Sequence, residues 1–212
     1  MSLSTPDACQ LILGHRTNQI LISTMSAMRA VDRLSTSHRN LGCVPLMGGA
    51  AGLGLGIALA RSDEQVVILD GDGSLLMQLG VLATIADQAP SGLLHFVFRN
   101  DVWFEGSANI RTPGATKASF AGFAQAAGYP NVRVIGEASS LDAAMPELLA
   151  SPGPTFVELR IDPEAGDRGP WGTQNPQAEI QAQQFTRMGE EARRLRSMLA
   201  GAGHASEPRA DK

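Results

Sequence analysis

The sequence predicts an α/β fold: a doubly wound, mostly parallel sheet flanked by helices, with a C-terminal helical extension. Three observations predict it. Short apolar runs alternate with helical patterns along most of the chain, the order that builds a parallel sheet with crossover helices. One run, QVVILD at 65–70, is continuously apolar, as a strand covered on both faces must be. Of the 212 residues 43% are hydrophobic and 18% charged, enough to bury a real core.

Each element has its own signal. Thr5, Pro6 and Asp7 read as a cap, a first-turn proline and a favourable dipole charge, opening a helix that ends near Gly14. Residues 19–23 form a strand, 27–34 a helix, 35–45 a loop and 48–61 a helix of small residues. The strand 65–70 leads into a helix from Ser74 to Gln88, and 93–98 is the next strand. A polar loop, 100–116, precedes a helix over 117–127, and 132–135 is a short strand. Ser139 or Ser140 caps a helix that runs to Ala150 and is interrupted by Pro146, and TFVELRI at 155–161 closes the pattern as a fifth strand. Ligands of such sheets bind outside the carboxyl ends of the strands, which singles out the loops after Asp70 and Phe98.

Composition changes after Asp162. Residues 1–162 read as one domain, 163–176 as a Pro- and Gly-rich linker or arm, 177–201 as an amphipathic helix and 202–212 as a flexible tail. Asn175 and Pro176 resemble a cap and a first-turn proline, and Ile180, Phe185, Met188, Ala192, Leu195 and Leu199 trace one apolar stripe. The favoured reading packs that stripe on its own domain; the other makes it a partner interface.

A net charge of -4 argues against a nucleic-acid partner. Two cysteines, Cys9 and Cys43, give neither a disulfide framework nor zinc spacing, so a reducing compartment is expected. Residues 1–14 lack the basic and apolar regions of a leader, and the expected location is cytoplasmic. The uncharged stretch 41–60 approaches bilayer length, but six of its twenty residues are glycine and Pro45 lies inside, so no membrane span is expected.

The sharpest local feature is Asp70-Gly71-Asp72-Gly73-Ser74, at a strand end and a helix start. Two glycines permit close backbone approach, amides at a helix start favour an anion, and a carboxylate suits a hard cation. A magnesium-bound phosphate satisfies all three; a plain strand-to-helix turn uses the same residues. Asn100 ends the next strand, so in a parallel sheet its side chain and that of Asp72 can meet as a two-point metal site.

Here the sequence resembles the diphosphate-binding domain of thiamine diphosphate-dependent enzymes, whose motif is GDG followed at similar distance by Asn. The resemblance implies that Asp72, Asn100 and the backbone carbonyl of Val102 hold magnesium, which bridges the cofactor's diphosphate. ILISTMSAM (20–28) looks like the family's diphosphate loop, with Ser23 and Thr24 as hydroxyl donors and Ser74 as a third. VPLMGGAAGLGLGIALA (44–60) looks like the segment whose bulky residue, here Met47, wedges the cofactor into a bent conformation. Gly48 and Gly49 would leave room for its rings, and Gly71 and Gly73 for its phosphates; core packing is the plain alternative for Met47.

GDGSLLMQLGVLATIADQAP (71–90) is especially similar to the beta subunits of sulfopyruvate decarboxylase and the C-terminal domain of phosphonopyruvate decarboxylase, a likeness spanning 11–162. It departs at Arg99, where those proteins carry Asp or Asn, and over NDVWFEGSANI (100–110), which replaces a glycine-, serine- and threonine-rich substrate loop. Trp103, Phe104 and Glu105 either shape a different pocket, with Trp103 and Phe104 against the cofactor, or anchor the loop. The family also needs a glutamate on a pyrimidine-binding domain that this chain does not hold. The resemblance therefore implies a separate alpha-type subunit supplying it, in a hetero-oligomer such as α2β2 or larger.

The reaction implied is decarboxylation of a 2-oxo acid, with an anionic substrate tail received by Arg111 or Arg99. His38 in the 35–40 loop is placed to approach substrate or simply to be solvated, whereas His15 and His95 fit structural roles. Acyl transfer or carboligation, as in acetolactate synthase, uses the same cofactor residues. A non-catalytic regulatory subunit would keep the fold without turnover. The rival of another class is a magnesium phosphohydrolase of the haloacid-dehalogenase type, since VVILDGDGSLL resembles its nucleophile strand, with Asp70 as nucleophile and Lys117, Asp162, Glu164 and Asp167 as loose partners. An EF-hand fails because its glycine falls on Leu75 and its glutamate on Val81, and a nicotinamide turn fails because Gly52 to Gly56 precedes a strand.

Overall fold

The computed structural model describes residues 2–43, 47–105, 108–163 and 177–202, and of residues 104, 105, 108, 109, 177–185, 201 and 202 the backbone alone. In chain order the helices are α1 (Thr5–His15), α2 (Met25–Leu34), α3 (Gly49–Ala60), α4 (Asp72–Leu76), α5 (Val81–Gln88), α6 (Phe120–Ala127), α7 (Ala138–Ala150) and α8 (Gln177–Ala202). The strands are β1 (Ile20–Ser23), β2 (Asn40–Gly42), β3 (Val66–Gly71), β4 (Leu93–Arg99), β5 (Val102–Glu105), β6 (Ala108–Arg111), β7 (Asn131–Ile135) and β8 (Thr155–Arg160). Six of them form one sheet in the order β2-β1-β3-β4-β8-β7, every neighbouring pair parallel. β5 and β6 form a separate antiparallel hairpin.

Side chains of successive strand residues enter opposite faces, so the continuous apolar runs feed two cores. Ile20, Ile22, Val66, Ile68, Val97 and Phe156 pack beneath α3, α5, α6 and α8. Leu21, Val67, Leu69, Phe96, Val157 and Leu159 pack beneath α1, α2 and α7. α3 is built of small residues because it lies close on the sheet: a β-carbon on Gly54 would stand 2.5 Å from Cδ1 of Ile68. Helix α8 buries Leu195, with Met188, Met198 and Leu199 partly covered against the first core. The stripe therefore packs on its own chain as expected, except that Ala192 is exposed. The side chains of Ile180 and Phe185, and Asn175, Pro176 and the 202–212 tail beyond Ala202, lie outside the described residues. Among the described residues no helix is long and apolar enough to cross a membrane.

Several elements differ from expectation. The cap of α1 is Ser4, whose Oγ accepts the Asp7 N–H at 3.2 Å, one residue before Thr5. β2 is a sixth parallel strand inside the expected 35–45 loop, and β5 and β6 occupy the expected 100–116 loop. The expected 74–88 helix is two, α4 and α5, separated by residues 77–80. α6 starts at Phe120 because Ser119 caps it through the Gly122 N–H at 3.0 Å. α7 has Glu137 rather than Ser139 or Ser140 at its cap position and runs through Pro146, which lies on its exposed side.

Candidate functional site

The ends of β1, β3 and β4, adjacent in the sheet, carry most of the candidate residues. Strand order reverses at β1, since the chain steps from β1 to β2 on one side of it and then crosses to β3 on the other, and such reversals open a crevice at the carboxyl edge. Pairing of Gly71 with Phe98 brings the GDG turn level with the end of β4.

Asp72 opens α4 and is 2% exposed. Its Oδ1 accepts the Gly73 N–H and its Oδ2 the Asp101 N–H, both at 2.8 Å. Burial pushes its carboxyl up to about 6, against the pull of those two amides. A carboxylate so desolvated is one that a cation would stabilise. Asn100 follows β4, and its Oδ1 accepts the Val102 N–H at 3.2 Å. Between them Asp101 adopts φ 61, the left-handed region, and turns the chain into the hairpin. Its carbonyl accepts the Thr112 N–H at 3.0 Å, making Asp101 and Thr112 a hydrogen-bonded rung. The next rung, Val102 opposite Arg111, is then of the non-bonded kind, so the Val102 carbonyl faces away from β6. The Asp101 N–H thus ties Asp72 to the turn that carries Asn100 and Val102, three residues whose oxygens are of the kind that suits a hard cation. Among the described residues no three His, Cys, Asp or Glu side chains gather as an alternative metal site.

A second group lies beside this one. Ser74 is 2% exposed, and its Oγ accepts the Gly48 N–H at 2.9 Å, which leaves its own proton to donate. Gly48 has φ 83 and is buried, and a β-carbon there would stand 3.0 Å from Cβ of Gln78, so Gly48 is held close against the segment after the GDG turn; Met47 beside it is half-buried. Gly49 opens α3. Ser23 and Thr24 are both 1% exposed at the end of β1. The Thr24 hydroxyl donates to the Cys43 carbonyl at 3.0 Å, so in this structure the expected phosphate donor is committed to the backbone instead.

Trp103, half-buried on β5, lies over Gly73 so closely that a β-carbon on Gly73 would overlap the indole nitrogen. That Nε1–H is buried and has no acceptor among the described residues. A desolvated donor left unpaired costs about 1–3 kcal/mol, which an anionic oxygen arriving here would relieve. The chemistry of this donor set, orphaned indole included, fits a metal-bound diphosphate. The helix-start amides contribute less than expected, since α4 has only 5 residues and Asp72 itself takes the Gly73 N–H.

Other expected participants stand elsewhere. The Arg99 guanidinium donates to Asp101 at 2.9 Å, to Glu158 at 3.0 Å and to the Ala115 carbonyl at 3.0 Å, so two carboxylates already neutralise it and it is no receiver for a substrate anion. Arg111 is exposed on the hairpin. His38 is exposed in the loop before β2, at the amino ends of the strands and opposite the site. His15 pairs with Asp142 at 2.7 Å, and buried His95 packs edge-on against Phe156. The side chains of Phe104 and Glu105 lie outside the described residues. Asp70 is fully buried with Oδ1 accepting the Gly71 N–H at 2.8 Å, a poor position for a phosphatase nucleophile, and Lys117 is exposed.

Sequence reasoning passed over Asp101 and Glu158. Asp101 had a signal, since Asp tolerates the left-handed region better than most residues. Glu158 had a stronger one, a lone acid inside an apolar strand, which must be paired if buried. It is 1% exposed, and its two oxygens accept Arg99 and the Ala121 N–H at 3.0 and 2.9 Å.

Comparison with known proteins places this geometry in a context. Residues 22–159 match the model of the thiamine pyrophosphate enzyme C-terminal TPP binding domain. The phosphonopyruvate decarboxylase of Streptomyces hygroscopicus is 36% identical over 144 residues, covering 68% of this chain and 35% of that protein. The chain thus spans about a third of that relative's length. The sulfopyruvate decarboxylase subunit beta of Methanothermobacter thermautotrophicus is 29% identical over 168 residues, 79% of this chain and 86% of that one. A crystal structure from Mycobacterium smegmatis, assigned as a thiamin diphosphate-dependent enzyme, superposes with a TM-score of 0.66 at 18% identity over 77% of this chain and 32% of that chain, a likeness of fold.

Proposed function

Because this chain belongs to the thiamine pyrophosphate enzyme family through its C-terminal TPP-binding domain, we propose that it is the diphosphate- and magnesium-binding subunit of a heteromeric 2-oxo acid decarboxylase. The observation that carries the reading is the 2.8 Å bond from the Asp101 N–H to Asp72, which ties the GDG turn to the turn that holds Asn100 and Val102. The names of the relatives support the substrate class, phosphonopyruvate and sulfopyruvate being 2-oxo acids with an anionic tail. The near-complete coverage of a beta subunit supports a partner, an alpha-type pyrimidine-binding chain that brings the activating glutamate in an assembly such as α2β2. Met25, Met77 and Ile110, exposed by 37%, 64% and 50% and all on segments that come after β1, β3 and β4, suit such a docked partner. The proposed location is cytoplasmic.

Thiamine diphosphate, when bound, supplies the carbon nucleophile for the 2-oxo group and the electron sink that lets carbon dioxide leave. The chain's part is binding, orientation and charge. Asp72, Asn100 and Val102 would hold magnesium; Ser74 and Ser23 offer hydroxyl protons and Trp103 an indole N–H to phosphate oxygens. Met47 would press on the cofactor's bend, with Gly48 keeping the approach open. Arg111, the exposed cation of the hairpin, is the proposed receiver of the substrate's anionic tail.

The test is calorimetric titration of thiamine diphosphate, with and without magnesium, into the complex purified from its host by a tag on this chain. Binding should require magnesium and should weaken at least about a hundredfold in Asp72→Ala, the loss of a charge-assisted ligand. Unchanged, magnesium-independent binding by that variant would sink the reading. Native mass spectrometry of the same preparation should reveal a second chain of domain size.

A further inference from the structure

We infer that Arg99 is a positioning residue for Asp72, acting through the carboxylate of Asp101. The inference deepens the function proposed above and rests on it, since Asp72 is there a magnesium ligand.

The Asp72 carboxylate is held by two amides, one on each oxygen: that of Gly73 on Oδ1 and that of Asp101 on Oδ2. Two donors fix its rotation and still leave each oxygen a lone pair for a cation. The Gly73 amide belongs to the same turn as Asp72, whereas Asp101 follows β4. The Asp101 N–H is therefore the bond that registers Asp72 against the neighbouring strand end.

Asp101 has φ 61, a conformation that costs a residue with a side chain free energy and persists where its surroundings enforce it. Its N–H, its carbonyl and its carboxylate are all bonded. The N–H reaches Asp72 at 2.8 Å, the carbonyl accepts the Thr112 N–H at 3.0 Å, and Oδ1 accepts the Nε–H of Arg99 at 2.9 Å. The third of these bonds leads into the body of the domain. Arg99 donates from Nη1 to Glu158 and from Nη2 to the Ala115 carbonyl, both at 3.0 Å, and its guanidinium lies over the Phe120 ring, 5.8 Å from the centroid. Glu158 is 1% exposed on β8 and also accepts the Ala121 N–H of α6 at 2.9 Å. A planar guanidinium bonded through all three nitrogens has one orientation, so its Nε–H is presented to Asp101 at a fixed place. Glu158, Arg99, Asp101 and Asp72 thus form an unbroken line of direct hydrogen bonds. The two carboxylates on Arg99 also offset its charge, which would otherwise oppose a cation at Asp72.

The test compares Asp101→Gly with Asp101→Asn, at a side chain exposed by 41%. Both remove the charge, and both tolerate the left-handed backbone, but Asn alone keeps an acceptor for Arg99. The first readout is the magnesium concentration that half-saturates thiamine diphosphate binding by the host-purified complex. It should rise about three- to tenfold in Asp101→Gly, the loss of a charge-assisted bond, and stay within about twofold in Asp101→Asn. The second is amide exchange of the full chain by NMR, where the Thr112 amide should exchange about tenfold faster in Asp101→Gly alone. Arg99→Met combined with Glu158→Gln removes the guanidinium without stranding a buried charge. It should reproduce Asp101→Gly, and adding Asp101→Gly to it should cost nothing more. Leu195→Ala is the control for lost stability: it should lower the melting temperature and leave the magnesium requirement unchanged. Equal rises in Asp101→Gly and Asp101→Asn would overturn the inference in favour of charge alone, and no rise in either would overturn it in favour of the backbone turn alone. A rise in Leu195→Ala matching that in Asp101→Gly would overturn it as well. A wild-type complex that takes up no thiamine diphosphate would overturn the proposed function, whereas the tie from Arg99 to Asp101 would still stand or fall on exchange at Thr112.

Discussion

Cys43 is 1% exposed at the point where β2 ends, and its thiol shows how closely that point is packed. Burial, reinforced by the negative charge of Asp70, raises the thiol from 9.0 to about 11. A neutral group favoured by folding contributes its full stabilisation below the unfolded value and loses it as pH climbs through the folded one. The window here is pH 9 to 11. A shift of that size corresponds to about 2–3 kcal/mol. The stability difference between wild type and Cys43→Ala, measured by urea unfolding, should therefore drift against the wild type across this window. A constant difference would show that the thiol is not held neutral by the fold. Asp72 and Asn100 could be singled out from sequence because motif spacing is a local signal. Asp101 and Glu158 were passed over because their roles arise only when β4, β8 and α6 meet.

At the level of elements, strands whose two faces are buried were readable, as in QVVILD, because continuous apolarity has few other causes. β2 was not: its 3 residues Asn40, Leu41 and Gly42 carry no periodicity, and they are a strand because β1 and α8 flank them. The hairpin was hidden for a different reason. VWFE and ANIR pair outside the main sheet, and polar residues around them match the pattern of a loop. In the function proposed above its part falls to Trp103, which lies over Gly73. In a Trp171→Phe background Trp103 is the sole tryptophan, and its emission should change on addition of magnesium and thiamine diphosphate to the host-purified complex. Trp103→Phe, which keeps the ring contact and removes the N–H, should weaken cofactor binding by roughly three- to tenfold. Saturation with cofactor and no change in emission would remove the indole from the site.

Across the whole molecule, α8 does the work that a seventh strand or a further helix would do, covering an edge and closing the first core with Leu195. Deleting 177–212 should lower stability by about 2–5 kcal/mol, the burial of one fully and several partly covered apolar side chains. It should also leave β2 open to pairing between molecules, seen as concentration-dependent light scattering. A truncated chain as stable and as monodisperse as the full one would contradict that account. The layered fold was legible because it derives from element order, whereas the seating of α8 was not, because it depends on Arg187, Glu191 and Leu195 meeting residues more than a hundred positions away. The Glu158, Arg99 and Asp101 chain has one more consequence. It joins the start of α6 to the turn that launches the hairpin, so the hairpin is cantilevered from a footing two strands wide. If the proposed function holds, sequence change farther along the hairpin can alter the substrate pocket while this footing keeps the proposed metal-binding oxygens in place, and a lineage of such chains can explore new substrates without rebuilding the anchorage.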